Sequence, residues 1–262
     1  MLLLSITQGC TRLEDITQAA PYPKGPLTLP LSFVTWNTAK GKESSPQKVA
    51  QAIHHLTQEN STLVVLQEAV PAMLTHKGYG AHFARSFAWF WQNHASGVAQ
   101  ISPTRPLFVR AITTTHKEIG STPKMAMAAL YPVLQQGKKT TLLVITIHGL
   151  NFEWSGEGLA AQMKEIQSVI DQHHGPTVIA GDFNTWSHQR LAIVKEALSA
   201  FTEVPVDGPR RTAGFFIRLA GGSPDLPLDR IFVRGLEVRG KARTLENHLS
   251  DHPALSVTLA LP

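Results

Sequence analysis

The sequence has almost no cysteine, little charge and no long apolar run, and each shortage closes off a class of protein. A single cysteine among 262 residues, Cys10, rules out an intrachain disulfide and a thiolate zinc site, so a metal here would be a hard cation on oxygen ligands. Charged residues make up 16% of the chain without any block of one sign, which excludes an acidic or basic interaction tail. No stretch approaches the roughly 20 apolar residues of a membrane-spanning helix. Gly221-Gly222 is not followed by Lys-Ser or Lys-Thr, which excludes a phosphate-binding loop of the nucleotidase kind, and no internal repeat occurs. What remains is a chain with an ordinary 43% of hydrophobic residues, long enough for one large core. Its formal charge of +5 and pI near 9.4 favour a partner carrying phosphates.

The start reads differently from the rest. Met1 to Cys10 is similar to the tail of a bacterial lipoprotein signal but lacks a positive first segment, and Thr7 and Gln8 fit poorly. A plain N-terminal arm in a cytoplasmic protein is the expectation, with an envelope lipoprotein anchored through Cys10 as the alternative. Pro21, Pro23, Pro26 and Pro30 then bar helix and give an extended linker. The division expected is 1–31 for arm and linker and 32–262 for a single domain.

The informative stretch is Val178-Ile179-Ala180-Gly181-Asp182-Phe183-Asn184, an apolar run that stops at a glycine and then offers a carboxylate and a carboxamide. In an extended segment, alternation would point Asp182 and Asn184 the same way while Phe183 packs behind. Other apolar strands end on polar residues in the same manner. Phe33 to Asn37 ends on a carboxamide, Thr62 to Glu68 on a carboxylate, and Leu142 to His148 on an imidazole with Asn151 just beyond. Leu228-Asp229 and Ser250-Asp251-His252 open two more strands. Any one of these is a common turn; the set of six is not.

Between them, Pro46 to Glu59 has the apolar spacing of a helix through Val49, Ile53 and Leu56. Gly158 to His174 repeats that pattern with Leu159, Met163, Ile166 and Ile170. Ser187 caps a third helix running through Ala200, with Leu191, Val194 and Leu198 on its buried side. Ser96 to Ile101, Phe108 to Thr113 and Met125 to Leu130 read as a strand meander. Val204 to Pro227, with Arg210-Arg211 and Phe215-Phe216, is too long for a simple connection and has the composition of a substrate loop or of a variable surface loop.

Trp36-Asn37, Gln67-Glu68, His148, Gly181-Asp182-Phe183-Asn184, Leu228-Asp229 and Ser250-Asp251-His252 occur in the order of the endonuclease/exonuclease/phosphatase superfamily, which the chain resembles from Ser32 to Leu261. The superfamily holds pancreatic-type deoxyribonucleases, abasic-site endonucleases, neutral sphingomyelinases and inositol-polyphosphate phosphatases. A bacterial branch is most similar, through His148-Gly149-Leu150-Asn151-Phe152 and Gly181 to Ser187. The resemblance implies a four-layer α/β sandwich, two mostly antiparallel sheets face to face with helices outside. It also implies hydrolysis of phosphate esters with Mg²⁺ or, in its place, Mn²⁺. Glu68 would be the principal metal ligand and Asp251 a second carboxylate for it. Asp182 would orient or deprotonate the attacking water, Asn184 and Asn37 would hydrogen-bond oxygens of the site, and His252 would contact the scissile phosphate with Asp229 as its partner. His148 would be a second phosphate contact or the proton donor to the leaving oxygen.

Two departures stand out. Thr38, Ala39 and Lys40 occupy the stretch where abasic-site endonucleases have a carboxylate, which puts a second metal in doubt. Where secreted deoxyribonucleases supply a Glu to pair the counterpart of His148, this chain offers Lys124, for which an ordinary surface lysine is the expectation and a group facing the phosphate the alternative. The basic pI and Arg210-Arg211 beside Phe215 and Phe216 favour nucleic acid as substrate, with Asn37, Asn151, Arg210 and Arg211 as contacts. A phospholipid or inositol-phosphate ester, with Trp89-Phe90-Trp91 at an interface, is the alternative, and a non-catalytic binding protein the third reading. Nothing in the sequence calls for an obligate protein partner.

Overall fold

The computed structural model describes residues 16–19, 22, 25–58, 62–87, 95–113, 116, 124–219, 221–245 and 248–262. Cys10 and Trp89-Phe90-Trp91 lie outside them. The strands of the first half are β1 (Ile16–Ala19), β2 (Leu27–Thr28), β3 (Leu31–Asn37), β4 (Thr62–Ala69), β5 (Gly80–Phe87), β6 (Ser96–Ser102), β7 (Phe108–Ile112), β8 (Ala126–Gln135) and β9 (Lys138–His148). Those of the second are β10 (Thr177–Asp182), β11 (Thr202–Glu203), β12 (Val206–Asp207), β13 (Asp229–Arg234), β14 (Glu237–Leu245) and β15 (Ala254–Ala260). The helices are α1 (Pro46–Gln58), α2 (Glu157–Ile170), α3 (His188–Ala197) and the short α4 (Phe215–Leu219).

One sheet runs β1-β5-β6-β4-β3-β15-β14-β12 and the other β11-β13-β10-β9-β8-β2, with β7 also on β8. Most neighbours are antiparallel, and β3–β4, β9–β10, β2–β8 and β12–β14 are parallel. Alternation along the strands sorts their side chains into layers. Phe33, Leu63 and Val65 from the first sheet meet Val144, Val178, Ala180 and Ile231 from the second in the space between. The opposite face of the first sheet, with Val34, Trp36, Val64 and Leu66, packs on Val49 and Ile53 of α1. The opposite face of the second, with Ile145, Ile147 and Ile179, packs on Leu159, Met163 and Ile166 of α2 and Val194 of α3. The four layers match the expected sandwich.

Three local expectations change. Ile16–Ala19, read as part of an unpaired arm, pairs with β5 at a sheet edge. Helix α3 buries Arg190 and Val194 while Leu191 is only half-buried, so an arginine takes the face assigned to a leucine. The long connection after Val204, read as a loop, contains β12 and α4, and Phe215 is 68% exposed.

Candidate active site

The pairing register carries the polar strand ends to one place. β3 and β4 run parallel with Asn37 opposite Gln67, while Asp182 at the end of β10 lies opposite both His148 of β9 and Asp229 of β13. Asn37 Nδ2 crosses between the sheets to donate to Asp182 Oδ2 at 2.9 Å. Trp36 Nε1 donates to the carbonyl of His252 at 2.9 Å, and Ser250 Oγ donates to the carbonyl of Asn37 at 2.7 Å. These bonds seat the Ser250-Asp251-His252 segment on the end of β3.

Glu68 reaches the site through its backbone. Strand alternation would place it on the α1 side with Val64 and Leu66, but its φ of 51° is left-handed, and the register of β4 against β6 slips between Leu66 and Ala69. The carboxylate thereby comes within 3.9 Å of His148 Nε2, which is also 3.8 Å from Asp182 Oδ2. Asn184 is left-handed too, at φ 51°, so Asp182 and Asn184 do not project side by side from an extended strand. Instead Asn184 N donates to Asp182 Oδ1 at 2.9 Å, and its side-chain Nδ2 holds the carbonyl of Gly149 at 2.8 Å. Such conformations cost about 1–3 kcal/mol each and persist where the surroundings over-determine them. Gly181 makes the close approach beneath them: at φ +147° its absent Cβ would lie 2.0 Å from the Ile147 carbonyl.

The two histidines are driven in opposite directions. His252 Nδ1 faces Asp229 Oδ2 at 2.7 Å. Burial opposes its charge, yet Asp229, with Asp182 and Asp251 behind it, raises the imidazole to about 9. His252 is therefore a cation at neutral pH. His148 is held down to about 3 by burial first and then by Lys124, against the pull of Asp182 and Glu68. Lys124 Nζ stands 2.8 Å from His148 Nε2, and because an ammonium only donates, that ring nitrogen is the acceptor. The neutral ring has no proton to give at Nε2, so the proton-bearing group on this flank is Lys124, not the solvent-facing lysine expected. Lys40 Nζ donates to Glu68 Oε2 at 2.6 Å. Burial works against ionisation of Glu68, but the neighbouring imidazole of His148 and the ammonium groups of Lys124 and Lys40 hold it down to about 2.

Sequence reasoning missed Arg190. It is 1% exposed and donates from Nε to the Asn184 carbonyl at 2.7 Å, from one terminal nitrogen to the Glu153 carbonyl at 2.9 Å, and from the other to that of Leu150. It lies over the Trp186 ring, whose Nε1 donates to Asn151 Oδ1 at 2.9 Å. Asn151, expected to touch substrate, is thus tied to Trp186. Trp186 precedes the extended cap Ser187, so no helical spacing announced this contact.

The remaining expected residues divide. Asn37, Glu68, His148, Asp182, Asn184, Asp229 and His252 come together. Asp251 does not join Glu68: it is exposed and pairs with Arg211 Nη2 at 3.1 Å, which puts the expected second metal carboxylate and an expected substrate arginine in one ion pair. Among the described residues no cluster of three or more His, Cys, Asp or Glu forms a metal cage. The donors present still fit Mg²⁺, which relies on one or two protein carboxylates and keeps its waters. Glu68 has an ammonium already against it, so its carboxylate is placed to hold a cation, and Asp182 approaches the same nitrogen of His148.

Comparison with known proteins agrees with the fold and gives the family. The sequence pattern of the Endonuclease/Exonuclease/phosphatase family matches residues 34–252. A UPF0294 protein of Vibrio vulnificus is 31% identical over 98% of this chain and 85% of its own length. The catalytic domain of human nocturnin, solved with a bound sulfate anion, superposes with a TM-score of 0.63 at 17% identity, covering 95% of this chain and 97% of that one. Sphingomyelinase C from Streptomyces griseocarneus superposes with a TM-score of 0.59 at 16% identity, covering 87% and 98%.

Proposed function

The chain belongs to the endonuclease/exonuclease/phosphatase family, and on that premise we propose that it is a divalent-metal-dependent phosphodiesterase acting on nucleic acid. One observation carries the reading: the buried Asp229–His252 pair keeps a cation within electrostatic reach of Asp182, whose carboxylate lies 3.8 Å and that of Glu68 3.9 Å from His148 Nε2. Phosphoryl transfer needs charge neutralised on the phosphoryl oxygens and a water placed in line. Charged His252 supplies the first. Asp182, fixed by Asn37 and Asn184, supplies a carboxylate to orient the water. Glu68 would hold the metal, whose chemistry is to polarise the phosphoryl oxygens and the attacking water. Lys124, backed by His148, adds a second cation for the ester. The sulfate in the nocturnin structure is in keeping with an anion site on this fold.

The net charge of +5 and the arginines at 210 and 211 favour a polyanionic substrate. A lipid ester is the second reading, supported by exposed Phe152, Trp154, Phe215 and Leu219 on loops following β9 and in the α4 region, and by the likeness to a sphingomyelinase. A non-catalytic binding protein would have no need of Glu68 held in left-handed backbone beside the buried carboxylates of Asp182 and Asp229. Purified protein with Mg²⁺ or Mn²⁺ should cleave plasmid DNA or RNA and a chromogenic diester. Hydrolysis of sphingomyelin or inositol phosphates without nucleic acid would replace the first reading by the second, and no turnover on any ester would remove both.

A further inference from the structure

Beside the site lies a cavity of about 390 Å³, within the range of small-ligand sites, walled by Pro209, Arg210, Arg211, Thr212, His248, Ser250, Asp251 and Pro253. Its position is fixed by main-chain bonds. The Arg211 carbonyl accepts from Leu228 N at 2.9 Å, and the Leu228 carbonyl accepts from Phe183 N at 2.9 Å, so the arginine loop is laced to the residues preceding Asp229 and following Asp182. On the far wall, Ser250, Asp251 and Pro253 bracket charged His252.

The charges here are unbalanced. Arg210 is half-buried and has no ion pair or hydrogen bond with a described residue; Glu203 and Asp229 act on it only from a distance. It sits close enough to Arg230 for the two guanidinium groups to oppose each other, and Arg230 Nη2 is buried with no hydrogen-bond partner among the described residues. Arg211 has only Asp251, across an exposed contact in which both side chains keep about 40% of their surface, 39% and 40%. Exposed pairs of this kind are weak. A planar guanidinium binds phosphate through two parallel bonds, so a phosphate competes well for Arg211.

We propose that this pocket is a subsite for a second phosphate group of the substrate, adjacent to the one cleaved, and that Arg211 exchanges Asp251 for it. The proposal rests on the phosphodiesterase reading for its substrate, but the subsite itself is a property of Arg210, Arg211 and the cavity. A second phosphate is offered both by a polynucleotide and by an inositol polyphosphate ester, and Asp251 supplies a signature that a merely structural loop would not have. With the competing carboxylate removed, phosphate should bind more tightly.

The test has a binding arm and a kinetic arm. Inorganic phosphate is titrated into metal-free protein and followed by the side-chain N–H resonances of the arginines. Binding should perturb Arg210 and Arg211, weaken about tenfold in Arg210→Ala/Arg211→Ala, the loss of charge-assisted bonds, and tighten about threefold or more in Asp251→Asn. In the kinetic arm, a dinucleotide diester is compared with the same diester carrying a terminal phosphate, and glycerophosphoinositol with its 4-phosphate. For one of these pairs the added phosphate should raise kcat/KM about tenfold, and the double variant should bring that ratio to about one; the pair that responds identifies the source. Phosphate binding that ignores both the arginine and the Asp251 substitutions overturns the subsite, even if a simple diester is hydrolysed. Arginine-dependent phosphate binding in a protein that hydrolyses no ester upholds the subsite and overturns the phosphodiesterase reading.

Discussion

Replacing Asp229 with Asn should uncouple His252 from its charge. The imidazole is buried to 7% exposure and Asp229 to 3%, so solvent screens their contact little, and the 2.7 Å bond between them raises His252 from 6.5 to about 9. That rise corresponds to about 3 kcal/mol of preference for the charged ring in the folded protein. Because the folded value lies above the unfolded one, the contribution is complete below about pH 6.5 and is lost as pH climbs through about 9. In Asp229→Asn, burial is left as the largest influence and the ring should be neutral at pH 7.5, with Asp182 and Asp251 remaining only as weaker raising influences.

The assay is urea denaturation of the wild type and Asp229→Asn from pH 6 to 10.5, with NMR titration of the His252 ring. Taking the difference between the two proteins cancels lysines and tyrosines that titrate in both. The wild-type advantage should shrink by about 3 kcal/mol across that range. If the phosphodiesterase reading holds, the alkaline limb of kcat/KM should move to lower pH in the variant. A wild-type His252 that titrates at or below 6.5, or a stability difference that is flat with pH, would refute the reasoning.

Other expectations concern single side chains. Glu68→Ala should abolish calorimetric Mg²⁺ binding and lower hydrolysis by about three orders of magnitude, the scale of a lost Lewis-acid contribution; normal metal binding would remove Glu68 from its assigned role. Arg190→Met should cost about 4 kcal/mol in urea denaturation, because the carbonyls of Leu150, Glu153 and Asn184 lose their donor in a buried setting. A loss under 1 kcal/mol would mean those loops do not depend on it. Gly181→Ala should lower Tm by several degrees, since the new Cβ would meet the Ile147 carbonyl beneath His148 and Asp182; an unchanged Tm would show that β9 and β10 separate without cost.

The fold was legible where pattern sufficed. β3, β4, β9 and β10 are apolar runs of ordinary strand length, and the six polar ends fell in the order of a known superfamily. The arrangement around Lys124 was not legible, because it depends on the β8–β9 register: His148 N bonds the Met125 carbonyl at 3.0 Å, which sets Lys124 against the imidazole. No local feature of Pro123-Lys124-Met125 encodes that pairing. Arg190 was hidden by helical periodicity, which rewards Leu191 and ignores an arginine whose three carbonyl partners lie on two different loops. Asp251 was misplaced for a related reason, since Arg211 reaches it only after the loop folds back through Leu228.

Glu68 and Asn184 show where reading by alternation fails and why the failure is informative. Both follow regular strands, and a continued β conformation would turn Glu68 toward α1 and Asn184 parallel to Asp182. Each instead takes a left-handed φ of 51°, a sharper departure for Glu68 than for Asn184, since asparagine enters that region more readily. Packing alone gives no reason for it: Glu68 gains a position against Lys40 and near His148 rather than burial of apolar surface, and Asn184 gains bonds to Asp182 and the Gly149 carbonyl. The strain goes to placing the Glu68 carboxylate by Lys40 and His148 and to fastening Asn184 beside Asp182. A fold that needed only stability would keep these strand ends extended; two left-handed residues at one rim are a local departure that the proposed metal and water positions would explain.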